Sequence, residues 1–270
     1  MNESLYKKIK RLNNDIADDF IVRNIYKYRK NFSTQGTIIP IAGLFKTGST
    51  FVEKVINNVL ETELFQISSS HDSSAICEKK LLINYKKTGA RHIRLYASEL
   101  QYELMKKYDI TPLFMTRNIF DSLISVKDHI NNDNWLIQTG LYIPRYFREL
   151  SDEEQNEVMI SIVLPYSLNI YNPWLENKNN IKFKFIKYEN MLENKLEFFI
   201  EIFDFYGLNV ESKKIKEIIN KLEKDKKDPN KGIRFNKGIK GRGKNSFSPE
   251  QIERIYAYLN QFKYDYSDIV

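Results

Sequence analysis

The segment Gly43-Leu44-Phe45-Lys46-Thr47-Gly48-Ser49-Thr50 combines one lysine, three hydroxyls and two glycines, directly after Thr37 to Ala42, a run rich in β-branched residues. Behind it, Phe51, Val52, Val55, Ile56, Val59 and Leu60 recur at helical spacing. A strand, a glycine loop and a helix in that order let successive backbone N–H groups and the positive helix end converge on one anion. The plainer alternative is a turn that uses glycine only for its backbone freedom. A second cation, Arg117, follows the strand expected at Pro112 to Thr116, at the carboxyl end where ligands of open α/β sheets bind. Ser125 comes eight residues later, and Arg117 could instead pair with Asp121 across one helical turn. A third feature is a run of ten Lys or Arg and three acids between Lys221 and Lys244, whose excess equals the net +7 of the whole chain. Such a patch suits a nucleic acid, an anionic lipid, a phosphorylated cofactor or an acidic glycan. For proton transfer the chain offers three histidines: His92 on the strand expected at Arg91 to Tyr96, His71 in the polar SSSHDSS stretch, and His129 behind Ser125.

These groups need a scaffold, and the pattern describes one. Ile181 to Lys187 alternates as a strand, and Asn190 to Tyr206 reads as a single helix stopped by Gly207. Strands separated by helical segments argue for a parallel sheet with helices on both faces. Ser248, Pro249 and Gln251 open a last helix with a capping box, which leaves roughly Asp225 to Phe247 as a long Gly- and Lys-rich loop. With 42% apolar and 13% aromatic residues, the 270-residue chain is expected to form one domain over 1–270. Within it lie an anion loop at 43–50, a second segment at 117–125 and a basic loop at 226–247. Cys77 is the sole cysteine, the first twenty residues lack the apolar stretch of a signal peptide, and no run reaches the roughly 18 apolar residues of a membrane helix. A soluble, cytoplasmic protein without membrane insertion is expected.

The spacing of Gly43 and Gly48 resembles a Walker A loop, but Ser49 stands where that loop carries its lysine, and the lysine here is Lys46. KTGST resembles instead the 5′-phosphosulfate loop of the sulfotransferase family. Arg117-Asn118-Ile119-Phe120-Asp121 through Ser125 resembles that family's 3′-phosphate motif, with Ile119 in place of the usual proline. The stretch from Phe235 to Phe247 is similar to its C-terminal loop at Lys237, Gly238, Gly241, Lys244, Asn245 and Phe247, with Asn236 at the usual arginine and Arg242-Gly243 at the usual Asp-Trp. Tyr188-Glu189-Asn190-Met191-Leu192 is similar to the element after its fourth strand.

The resemblance spans residues 38 to 250. It implies an α/β fold, a P-loop-type parallel β-sheet flanked by helices on both faces, and sulfuryl transfer from 3′-phosphoadenosine 5′-phosphosulfate (PAPS), leaving 3′-phosphoadenosine 5′-phosphate (PAP). By that resemblance Lys46, Thr47, Gly48, Ser49 and Thr50 take the phosphosulfate, and Arg117, Ser125, Lys237, Gly238 and Arg242 take the 3′-phosphate. Tyr188 and Phe51 meet the adenine, unless either ring is ordinary core. In-line transfer needs a cation on the leaving group, supplied by Lys46, and a base near the acceptor. His92 is the first candidate for the base, with Tyr96, Glu99 and His71 as alternatives. No metal is expected.

The acceptor is a small alcohol or phenol, a lipid or a glycan, between which the residues do not choose. Trp135, Tyr142, Tyr146, Phe147, Tyr166, Tyr171 and Trp174 could form an aromatic acceptor pocket or be core. Two rivals are a P-loop kinase or nucleotide triphosphatase, which would need the missing Walker lysine, and a nucleic-acid binding module, which no accompanying signature supports. Oligomeric state is left open.

Overall fold

A computed structural model describes residues 36–69, 74–132, 137–138, 141–225 and 240–270. His71, Trp135, Asn236, Lys237 and Gly238 lie outside the described residues.

Four strands, β1 (Ile38–Gly43), β2 (Gly89–His92), β3 (Leu113–Thr116) and, after a two-residue hairpin of β4 (Ile137–Gln138) and β5 (Leu141–Tyr142), β6 (Lys184–Lys187), build a parallel sheet in the order β2-β1-β3-β6. Ile41 stands level with His92 on one side and Leu113 on the other. The alternation of the pleat explains the choice of residues. Ile39, Ile41, Leu113 and Met115 face one apolar layer, and Ile38, Ala42 and Phe114 face the other. Helix α1 (Ser49–Val59) and the later helices α8 (Lys195–Phe205) and α9 (Ser212–Asp225) cover the first face with Val52, Ile56, Phe199, Ile202 and Ile215.

Between these elements run the short α2 (Glu78–Ile83), α3 (Glu99–Lys107) and α4 (Ile119–Asn132). Next come α5 (Asp152–Val158), a π-turn at Met159–Val163 and α6 (Leu164–Glu176), which run end to end. The second face is buried under α4, α6 and the last helix, α10 (Pro249–Leu259), with Phe120, Leu123, Tyr171, Trp174 and Ile255.

Two edges of the ladder are closed by side chains. Leu44 N–H donates to the Met115 carbonyl at 3.2 Å, and two ladder steps earlier Pro40 has no N–H to give the Thr111 carbonyl. The Tyr206 hydroxyl donates there instead, at 2.6 Å, and burial pushes its phenol pKa far up. On the outer side of β2, Asn57 of α1 plays both halves of a strand: its Nδ2 donates to the Ala90 carbonyl at 2.9 Å and its Oδ1 accepts the Ala90 N–H at 2.7 Å. An edge strand otherwise exposes that row of groups.

The expected strand at Arg91 to Tyr96 begins earlier and ends sooner, at Gly89–His92. Past Ile93 the backbone leaves the sheet, because Tyr96 N–H turns to the Ser74 carbonyl and the Leu95 carbonyl takes the Trp174 indole N–H. The strand expected at Ile181 to Lys187 pairs only over Lys184–Lys187. The helix expected from Asn190 to Tyr206 is two helices, α7 (Tyr188–Glu193) and α8, broken where Asn194 turns extended and caps α8 through Glu197 N–H. Gly207 ends α8 at φ 64°, and the Ser248–Gln251 capping box opens α10, both as the sequence requires. Of the aromatics, Phe147, Tyr171 and Trp174 are core, while Tyr142 and Tyr146 are exposed.

Replacing Asn57 by Ala strips a buried donor and acceptor of β2 of their partner, so urea unfolding should show a loss of at least about 2 kcal/mol with an unchanged m-value.

Candidate active site

Because the four main strands are parallel, their carboxyl ends lie along one edge, and each delivers one group there. From β1 comes the loop 43–50, from β2 His92, from β3 Arg117 and from β6 Tyr188.

The loop is held from behind by its carbonyls. Thr47 Oγ1 donates to the Leu44 carbonyl (3.2 Å), Ser122 Oγ to that of Phe45 (2.7 Å) and Arg117 Nη1 to that of Lys46 (2.8 Å). In a trans peptide the N–H points opposite its carbonyl, so the N–H groups of Phe45, Lys46 and Thr47 face away from those anchors. Lys46 and Gly48 take left-handed backbone, φ 59° and 81°, and α1 then starts with no acidic residue in its first turn. Two consecutive bends and an uncompensated helix start make a concave set of donors with a local positive charge. Glycine is required at 48 on a second count. A Cβ there would stand 3.1 Å from the Tyr188 ring and 3.0 Å from the Met191 methyl.

Arg117 is 4% exposed and its guanidinium lies over the Tyr188 ring, 4.4 Å from the centroid. Its Nε makes no hydrogen bond among the described residues, and neither does the buried Thr116 Oγ1 beside it. Burial works against the Arg117 charge and Arg242 opposes it from nearby, while Tyr188, Asp121 and Glu189 favour it. A buried guanidinium with an unused N–H fits an anionic ligand. Ser125 is fully buried two turns into α4, and Phe51 packs edge-on against Phe199 in the core, 6.1 Å between ring centroids.

The C-terminal loop returns to this edge through one carboxylate. Buried Asp121 accepts the Gly241 N–H on Oδ2 at 2.7 Å and the Gly243 N–H on Oδ1 at 2.6 Å. Its partner is therefore that loop, and no Arg117–Asp121 ion pair forms. Gly243 is seated so closely that a Cβ would fall 2.2 Å from the Phe120 carbonyl carbon. That contact explains the glycine at a position where the related motif carries a large ring. Arg242, between the two anchored residues, pairs with Asp128 Oδ2 at 2.5 Å. Asp121 and Gly243 both fall within motifs read in the sequence, but nothing there pairs one with the other.

The proton-transfer candidates separate in space. His92 Nδ1 lies 2.7 Å from Glu53 Oε2, whose other oxygen accepts from Arg91 Nη1 at 2.9 Å. Burial alone would raise the Glu53 pKa, but the His92 hydrogen bond and the Arg91 charge bring it below the ordinary carboxylate value. Tyr96 is half-buried beside Tyr166, and burial first, then the Tyr166 hydroxyl, push its phenol pKa well up. Tyr166 in turn stacks on Phe45 at 5.3 Å. Glu99 is exposed at the start of α3, and His129 sits in the last turn of α4. Among the described residues no group of three His, Cys, Asp or Glu could hold a metal ion, and no helix is long and apolar enough to cross a membrane.

Asp121→Asn leaves one carboxamide oxygen for two N–H donors, so hydrogen exchange at the Gly241 and Gly243 amides should accelerate by at least about tenfold, with the sheet amides unchanged.

The family described as "Sulfotransferase domain" matches residues 37–265. None of the curated protein sequences matches the chain. Among solved structures, mouse sulfotransferase SULT7A1 complexed with PAP superposes with a TM-score of 0.60 at 17% identity, covering 85% of each chain. Retinol dehydratase in complex with androsterone and inactive cofactor PAP gives 0.59 at 14% identity, over 91% of this chain and 86% of that one. Sulfotransferase STF9 from Mycobacterium avium gives 0.51 at 10% identity, over 91% and 82%. Such identities establish a common fold, and the family match covers most of the length. The chain belongs to the sulfotransferase domain family.

Proposed function

We propose that the chain transfers a sulfuryl group from PAPS to a hydroxyl or amine of a small-molecule or glycan acceptor, with Lys46 and His92 as its catalytic residues. The observation that carries this reading is the bond from Arg117 Nη1 to the Lys46 carbonyl, which ties the two anion-binding segments into one surface and leaves Arg117 Nε unused. A nucleotide phosphorylated at both ends needs two anion sites at a fixed separation. PAP, named with two of the solved relatives, is such a nucleotide.

When bound, PAPS supplies the activated sulfuryl group, and PAP is what remains. The N–H edge of the loop, with Thr47, Gly48, Ser49 and Thr50, receives the 5′ end. Lys46, half-buried at the bend, presents its ammonium to the charge that grows on the leaving oxygen. Arg117, Ser125 and Arg242 receive the 3′-phosphate, together with Lys237 and Gly238 from the basic loop. Tyr188, fixed between Gly48 and Arg117, offers a ring edge to the adenine, with Phe51 packed behind the loop. His92 takes the acceptor's proton. Tyr96 is less suited, because a phenol with a raised pKa stays protonated near neutrality and acts as a donor.

Two observations weigh against the rivals. Ser49 leaves no lysine for the β- and γ-phosphates of a triphosphate. The three described cations of the C-terminal loop have partners within the protein: Arg242 with Asp128, Lys240 with Glu193 and Lys244 against Phe120 and Tyr256. That arrangement supports a nucleotide site over a nucleic-acid surface.

Calorimetry should show PAP binding without added metal and at least about 30-fold tighter than ADP, whereas preference for magnesium-ATP would overturn the reading. Arg117→Ala should remove most of that preference, since truncating one partner of a buried charge contact costs about 2 kcal/mol or more. Lys46→Ala should lower kcat by about 10²- to 10³-fold with a smaller change in PAP affinity, and an unchanged kcat would take Lys46 out of the chemistry.

A further inference from the structure

We infer that Glu53 is the positioning residue for His92, an inference that rests on His92 as the base. Glu53 lies on α1, the helix that starts at the phosphosulfate loop, seven residues after Lys46, and it is 3% exposed. Each of its oxygens has one partner on β2: Oε1 accepts from Arg91 Nη1 at 2.9 Å and Oε2 meets His92 Nδ1 at 2.7 Å. A buried ion pair that served only the fold would be complete with Arg91. Here the second oxygen goes to an imidazole whose side chain remains 25% exposed, at the edge where the donor loop ends.

A carboxylate held in its ionised form can only accept, so the hydrogen of this contact belongs to Nδ1. The other ring nitrogen, Nε2, then carries the lone pair, and the ring plane is fixed by the contact. In the transfer step the acceptor oxygen forms its bond to sulfur while the bond from sulfur to the bridging phosphate oxygen breaks. That electron pair leaves with PAP, and the acceptor's proton passes to Nε2. Glu53 then faces an imidazolium and stabilises its charge, the logic by which a buried carboxylate assists a general base elsewhere. One helix thereby sets both ends of the reaction, the loop at its amino terminus and the base through its second turn.

The test uses the full chain labelled with ¹⁵N-histidine, which gives three imidazole spin systems, assigned with His92→Asn. With PAP bound, His92 should be the Nδ1–H tautomer, and Glu53→Gln should abolish that preference. An Nε2–H tautomer in the unmodified protein, or one unchanged by the substitution, overturns the inference. PAP release from PAPS, with water or 4-nitrophenol as sulfuryl acceptor, should fall at least about 10²-fold in kcat for Glu53→Gln while PAP affinity stays within about twofold. Arg91→Gln keeps the Glu53–His92 contact and should lose less than about tenfold. Equal losses in the two variants would make Glu53 a fold residue and overturn the inference, and Glu53→Asp, tested if Glu53→Gln does not fold, should retain the Nδ1–H tautomer. Failure of PAP to bind at all would count instead against the sulfotransferase site.

Discussion

The site depends on where three carbonyls point. Those of Leu44, Phe45 and Lys46 are each drawn toward the protein by a different donor, from Thr47, from Ser122 on α4 and from Arg117 behind β3. A loop of this length has many ways to bend, and these bonds select one that turns consecutive N–H groups outward together. The left-handed turn at Lys46, uncommon for a residue with a side chain, is tolerated because these three bonds determine it. Two of the three donors come from the segment 117–125, so the loop is shaped by the same segment that carries Arg117.

Asp121 extends the same logic to the third segment. On the helix that supplies Ser122, it fixes Gly241 and Gly243 through two charge-assisted bonds and leaves Arg242 projecting between them. Three stretches far apart in the chain thus converge on the first two turns of α4. The convergence accounts for a carboxylate buried on α4 beside Ser122 and Ser125, and for a glycine where the backbone of Phe120 leaves no room for a Cβ.

Features governed by adjacent residues were legible in the sequence. The strand–loop–helix around Lys46, the placement of Arg117 after a strand and the Ser248 capping box follow from neighbours within a few positions. Features decided at a distance were not. The limits of β2 depend on Asn57, Ser74 and Trp174, and the run 91–96 gives no sign of them. Asn194 breaks a segment whose flanking residues all suit a helix, and its capping role competes with that pattern. The sequence carries no sign of the partners of Glu53 on β2 or of Asp121 in the C-terminal loop, since both contacts join distant segments.

Pro40 sits in a central strand, where proline is rarely found. Its missing donor is replaced by Tyr206, the residue that caps the carboxyl end of α8. The amino-terminal margin of the sheet and the end of a remote helix therefore share one hydrogen bond. For the chain as a folding unit this is a clasp: β1 and β3 do not separate at that margin without also releasing α8. The sheet's opening becomes part of the cooperative unfolding of that layer rather than a local fraying, a rigidity passed from the far margin to the strand that leads into the loop at 43–50.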